Sequence, residues 1–203
     1  MKKEKLIKKY DSQVSMYENN RNNPTVAGWR EKLIKSAYGK VLEVGVGVGA
    51  NFPHYDKQKV SEIIGVDFSK EMIKSAEQQA ITNQLHVHFI HQDVDTLSLQ
   101  SNSFNSIVST LTLCSYPDPV KTLNKYNDWC QEDGAVLFLE HGLSSNILLS
   151  MTQKVVDPLY RRFSGCHCDR DILKIMEASK LQVKHFEQYW SGMVSLIWAK
   201  PNK

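Results

Sequence analysis

Three glycines at two-residue spacing, Gly45, Gly47 and Gly49, follow the apolar run Val41–Val44, and a carboxylate, Glu43, lies inside that run. Asp67 closes the segment IIGVD about 20 residues further on, the distance at which a carboxylate receives ribose hydroxyls. Glycine lets the backbone approach a ligand closely and reach positive φ. The third glycine comes one position earlier than in the dinucleotide fingerprint G-x-G-x-x-G. A carboxylate just before the loop is poor company for a pyrophosphate, and by charge sign it suits a cationic or ammonium-bearing ligand. Asp93, in His91-Gln92-Asp93-Val94, is expected to accept from an adenine amino group. Phe68, Met72 and Val94 offer apolar walls for a ring, or serve as plain core.

A ligand with a purine, a ribose and positive charge fits these residues together. S-adenosylmethionine has all three, and a nicotinamide dinucleotide lacks the match to Glu43. Other residue types suit an acceptor side: Tyr10, Tyr17, Leu113, Cys114, Tyr116, His141, Tyr160 and Trp190. His141 has a side chain suited to proton abstraction, with a satisfied structural histidine as the alternative. Asp157 is read either as a group that orients a substrate or a histidine, or as a cap on a chain break at Pro158. Cys114 is read as a nucleophile or as a buried thiol. Cys166-His167-Cys168 invites a zinc reading. Consecutive side chains project in different directions, however, and zinc sites use wider cysteine spacing, so no metal is expected.

The elements that must position these residues follow from periodicity. Lys2–Asn20 reads as an amphipathic helix with Leu6, Ile7, Tyr10, Val14 and Tyr17 on one face, and a second helix spans about Ala27–Tyr38. Strands are expected at Lys40–Val44, Glu62–Asp67, His86–His91, Asn105–Leu113 and Ala135–Glu140. Helices are expected at Ser69–Ala80 and from Pro119 to about Glu132, where Gly134 would end the latter. After them come a helix over Asn146–Phe163 interrupted at Asp157-Pro158, and another over Asp169–Ser179. Gln182–Tyr189 and Met193–Ala199 are joined too tightly for a crossover, so they read as an antiparallel hairpin. Strand–helix alternation makes this an α/β protein: a mostly parallel sheet with helices on both faces. Residues 1–38 are expected to form a helical cap over the active site, and residues 39–203 the main domain.

Bulk properties exclude little. The 203 residues carry a net charge of +3, with 41% apolar and 23% charged residues, ordinary values for a globular chain. Nucleic acid is not expected as a partner. The basic N-terminal helix allows weak peripheral membrane contact but no stable insertion. The N-terminus lacks an apolar signal segment, so reduced thiols and a cytoplasmic setting are expected. Either a monomer or a homodimer is compatible.

LEVGVGVG, VDFS-KEM, HQDV and SIVSTLTLCS, in order and spacing, resemble the motifs of class I S-adenosylmethionine-dependent methyltransferases, from Val41 to about Glu140. The resemblance implies a Rossmann-like seven-stranded sheet with an antiparallel last strand. It implies S-adenosylmethionine as methyl donor, S-adenosylhomocysteine as product, and a small-molecule acceptor. It adds Asn51, Thr110 and Leu111 to the cofactor-binding set of Glu43, Gly45, Gly47, Gly49, Asp67, Phe68, Met72, Asp93 and Val94. A narrower pattern, LEVGVGVGANFPHY, STLTLCS, FLEHG and QKVVDPLYRRFSGC, is similar to thiol S-methyltransferases and shares parts with ubiquinone-type and phospholipid methyltransferases. A thiol acceptor is therefore one reading. A quinone, lipid or other apolar acceptor is a second, and a non-catalytic binder of the cofactor a third. Under these readings His141 and Asp157 are the catalytic candidates, and Tyr10, Tyr17, Cys114, Tyr116 and Tyr160 the substrate contacts.

Overall fold

The structure is a computed structural model that describes residues 3–203; Lys2, in the first expected helix, lies outside them. The centre is a seven-stranded sheet in the order β3-β2-β1-β4-β5-β7-β6. Its strands are β1 (Gly39–Val44), β2 (Val60–Asp67), β3 (Val87–His91), β4 (Phe104–Thr110), β5 (Cys130–His141), β6 (Gln182–Tyr189) and β7 (Val194–Lys200). β1 pairs in parallel with β2 on one side and β4 on the other. β7 runs antiparallel to both β5 and β6. The expected hairpin thus inserts its second strand between β5 and β6.

The sequence alternates apolar side chains to both faces, so each face needs cover. Leu42, Val44 and Ile107 face α5 (Pro119–Trp129) and α7 (Ile172–Glu177) through Tyr126, Trp129 and Met176. Val41, Val108 and Leu137 face α3 (Pro24–Ile34) and α4 (Lys70–Thr82) through Leu33, Ile34, Ala76 and Ala80. Caps set the starts of these helices. The Asn23 side chain accepts from the amides of Thr25 and Val26, Ser69 from Met72, and Asp118 from Lys121.

Several boundaries differ from expectation. The first helix breaks at Gln13 into α1 (Lys3–Ser12) and α2 (Val14–Asn20). The helix before β5 ends at Trp129, and Gly134 lies inside β5 instead of ending it. The residues between Cys130 and Ala135 bulge out where the pairing shifts from Phe104↔Cys130 to Ser106↔Ala135. Pro158 does not interrupt its helix, because α6 runs unbroken over Ile147–Ser164. α6 is mostly exposed, and a surface helix tolerates the one missing amide where a buried one would not.

Candidate active site

Open parallel sheets bind ligands beyond the carboxyl ends of strands that flank a change in strand order. Here that crevice lies between β1 and β4, and a cavity of about 360 Å³ occupies it. The ends of β1, β2 and β4 form its floor through Val44–Val48, Val66–Phe68 and Thr110–Thr112. α1 and α2 lie over it, with Tyr10, Met16, Tyr17 and Arg21 on the wall.

Asp67 ends β2 at the cavity, as its spacing implied. One oxygen accepts the Gly47 amide at 2.9 Å and the other the Ser69 amide at 2.8 Å. Burial raises its pKa to about 6, against the pull of those amides. Gly45 has φ +70, and a methyl group there would overlap the Thr112 side chain. Gly47 has φ +53, with nothing nearer than 3.9 Å to such a methyl. Phe68, Met72, Val94, Thr110, Leu111, Tyr10, Tyr17 and Tyr116 all reach the wall. Leu111 holds φ +58, costly for a branched side chain at this turn.

Four expected cofactor contacts stand elsewhere. Glu43 is buried behind the wall, not facing a cation in the cavity. Its oxygens accept from Asn51 Nδ2 at 2.9 Å and from the Tyr55 hydroxyl at 2.7 Å. Burial pushes its pKa to about 7, partly opposed by those two donors and by Arg30. Asn51 is likewise behind the wall and accepts from Arg30 Nη1 at 2.6 Å. A Cβ at Gly49 would press on Phe52 and Gln79, so this glycine serves packing. Asp93 pairs with Lys3 at 2.9 Å and accepts the Asp95 amide at 2.8 Å; its neighbour Gln92 is the polar residue on the wall.

Arg30 was missed in the sequence. Its Nη1 also donates to Thr110 Oγ1 at 2.8 Å, while its Nε is buried without a partner. It sits on the apolar stripe of α3 with Val26, Leu33 and Ile34. A lone arginine on a buried stripe was the available signal, since burial of a charge requires a partner.

The catalytic candidates do not line the cavity. His141, at the end of β5, has Nε2 3.7 Å from Cys166 Sγ. Asp157 is buried, but neither caps a break nor meets the cavity. It accepts the Cys168 amide at 2.8 Å and pairs with His167 Nδ1 at 3.0 Å. Cys114 is buried in the turn after β4, and Tyr160 is partly exposed on α6; neither reaches the wall. Leu113 is core, and Trp190 lies on Trp29 outside the site. The Cys114 thiol and then the His141 imidazole hold Cys166 well below the usual thiol range.

Comparison with known proteins fits this arrangement. Residues 42–138 match the family model described as "Methyltransferase domain". The mitochondrial methyltransferase OMS1 of Saccharomyces cerevisiae is 27% identical over 94% of this chain and 44% of its own length. Phosphatidylethanolamine N-methyltransferase of Cereibacter sphaeroides is 26% identical over 71% of each chain. Human thiol S-methyltransferase TMT1A is 30% identical over 72% of this chain and 63% of its own. The chain thus spans less than two thirds of OMS1 and of TMT1A. Geranyl diphosphate C-methyltransferase of Streptomyces coelicolor, solved with S-adenosyl-L-homocysteine, shares the fold. Its TM-score is 0.70 at 13% identity, over 95% of this chain and 83% of that one.

Proposed function

We infer, from a chain that belongs to the S-adenosylmethionine-dependent methyltransferases, that it moves a methyl group onto a small-molecule acceptor, and that the acceptor is a thiol. The observation that carries the methyl-donor half is that Asp67 and Arg30 both line one cavity. Asp67 retains acceptor capacity for ribose hydroxyls beside its two amide bonds. Arg30 lines the cavity with its Nη1 held by Asn51 and Thr110, and its positive charge suits the carboxylate of the methionine portion. Phe68, Met72 and Val94 give the purine an apolar slot. When bound, the donor supplies a methyl group already activated by its sulfonium.

The chain's own task is then alignment and exclusion of water. Positioning of this kind reaches effective molarities of about 10⁵ M or more. Tyr10 and Tyr17 stack at 6.2 Å, and Tyr10 meets Phe68 edge-on at 5.3 Å. Burial holds both phenols well above their usual range, so they stay neutral and shield the acceptor end. A thiol needs little help from a base, in keeping with a wall that carries no histidine.

An apolar acceptor is the second reading, favoured by α6. Ile147, Leu148, Met151, Val155, Leu159 and Phe163 are all well exposed along it, with Lys154, Arg161 and Arg162 interleaved. No helix among the described residues is long and apolar enough to cross a membrane. Calorimetry with S-adenosylhomocysteine, followed by methyl transfer over a thiol, phenol, amine and quinol panel, separates the readings. Absence of binding at millimolar ligand removes the donor assignment, and transfer confined to vesicle-borne acceptors replaces the thiol.

A further inference from the structure

We propose that Cys114, His141 and Cys166 form a zinc site whose fourth position takes the thiolate of the acceptor. The second half of this statement rests on the thiol reading above; the first half does not.

The geometry comes first. The two sulfurs and a ring nitrogen of His141 all lie within 4.8 Å of one another. Tetrahedral zinc, with bonds of about 2.3 Å to sulfur and about 2.0 Å to nitrogen, sets its ligands roughly 3.5–4 Å apart. Cys166 Sγ and His141 Nε2 are already 3.7 Å apart. Closing the set asks for side-chain shifts only.

Separate elements deliver the three residues, and buried polar contacts fix each. Glu140 accepts the amides of Thr112 at 3.0 Å and Leu113 at 3.2 Å, which ties the Cys114 turn to the end of β5 beside His141. Arg170 donates to the carbonyls of Leu113 and Tyr116 from the other side. The Cys166 turn starts at Gly165, with φ +90, and its His167 amide donates to the Cys114 carbonyl at 2.9 Å. Asp157 grips that same turn through Cys168 and His167. Asp157 thus orients a histidine, His167, as one of its two sequence readings allowed, and holds the Cys168 amide besides.

Donor chemistry narrows the ion. Two sulfurs and one imidazole make a borderline-soft set suited to zinc, and three protein ligands with one open position is the catalytic arrangement. Cys168 and His167 are turned away, towards the Gln153 carbonyl and Asp157. The spacing argument against Cys166-His167-Cys168 therefore stands, while the site draws on residues distant in sequence. Thr112 and Ser115, on either side of Cys114, both line the cavity, which puts the site at its edge.

The step balances. The acceptor thiol gives up its proton to solvent on taking the fourth position. A bond forms between its sulfur and the methyl carbon. The bond from that carbon to the donor sulfonium breaks, and its electron pair stays on the departing sulfur, which becomes neutral. The uncharged thioether product is a weak ligand and yields to water.

Elemental analysis of the full chain, dialysed against zinc and then against buffer, tests the site. One zinc per chain is expected, and cobalt in its place should show thiolate-to-metal charge-transfer absorption. Cys114→Ser, Cys166→Ser and His141→Ala should each lose stoichiometric zinc while still binding S-adenosylhomocysteine, which shows that they fold. Cys168→Ser should keep its zinc. A wild-type chain holding no more zinc or cobalt than the Cys114→Ser/Cys166→Ser variant overturns the site. A Cys114–Cys166 disulfide persisting under mild reduction overturns it too. Undiminished thiol methylation by chelator-stripped enzyme overturns the open-position role. Stoichiometric zinc without thiol methylation supports the site and removes the thiol reading alone.

Discussion

The carboxylate of Glu140 accepts the backbone amide of Thr112 at 3.0 and 3.1 Å through its two oxygens, so a side chain on β5 holds the turn that leaves β4. Burial raises its pKa to about 7, although the amides of Thr112 and Leu113 pull the other way. Glu140→Ala strands two buried amides, each costing about 1–3 kcal/mol. A loss of about 2–6 kcal/mol in urea-unfolding stability is expected, with the m-value unchanged. A loss under 0.5 kcal/mol would show that the turn holds itself.

Asp67 predicts two opposite pH slopes. Its folded pKa, about 6, lies above the unfolded value of 3.8. Between these the folded state keeps a proton that the unfolded state has released, so this group's contribution to stability falls as pH rises from about 4 to 6. Ligand binding runs the other way, because ribose hydroxyls donate to the ionised form. Affinity for S-adenosylhomocysteine should drop about tenfold per pH unit below 6. Calorimetry should find that dependence flattened in Asp67→Asn.

The two wall glycines should respond unequally to alanine. Both hold positive φ, a strain of about 1–2 kcal/mol for a non-glycine residue. Only at Gly45 does the new methyl also collide with Thr112. Gly45→Ala should abolish cofactor binding, while Gly47→Ala weakens it about tenfold with the fold intact, a loss of about 1.4 kcal/mol. Equal effects in parallel titrations would contradict the geometry.

Arg30→Met should weaken S-adenosylhomocysteine binding about 10- to 100-fold, the worth of a lost charged hydrogen bond. Decarboxylated S-adenosylmethionine, which lacks the carboxylate assigned to Arg30, should bind wild type and variant alike. Discrimination between the two proteins by that ligand would place Arg30 on another part of the cofactor.

Gly45, Gly47 and Asp67 were legible because their chemistry is local: a backbone that only glycine adopts, and a carboxylate at a strand end. Glu43 and Asp93 stand off the wall because charge sign, for the one, and position after a strand, for the other, say what a group favours, not which neighbour reaches it first. Asn51 and Tyr55 reach Glu43, and Lys3 reaches Asp93. Pro158 marked a helix break by local rules, yet α6 continues, because those rules weigh only the lost amide. The meeting of Cys114, His141 and Cys166 depends on β4, β5 and the far end of α6. No spacing rule within one element contains it.

Neither α1 nor α2 buries a single side chain completely, although both help to roof the cavity. Their attachments are mostly polar. Asp11 meets Ser69 at 2.5 Å, Glu18 meets Ser75 at 2.6 Å, and Lys9 reaches the Phe163 carbonyl at 2.9 Å. Lifting such a roof uncovers Tyr10, Tyr17 and Phe68 but leaves both core clusters of the sheet covered, so it opens at lower free energy than the sheet unfolds. Ionic strength acts on the Lys3–Asp93 ion pair, which ties α1 to the residues after β3, and barely on the core. Added salt should therefore ease traffic into the chamber, while leaving the chamber itself in place.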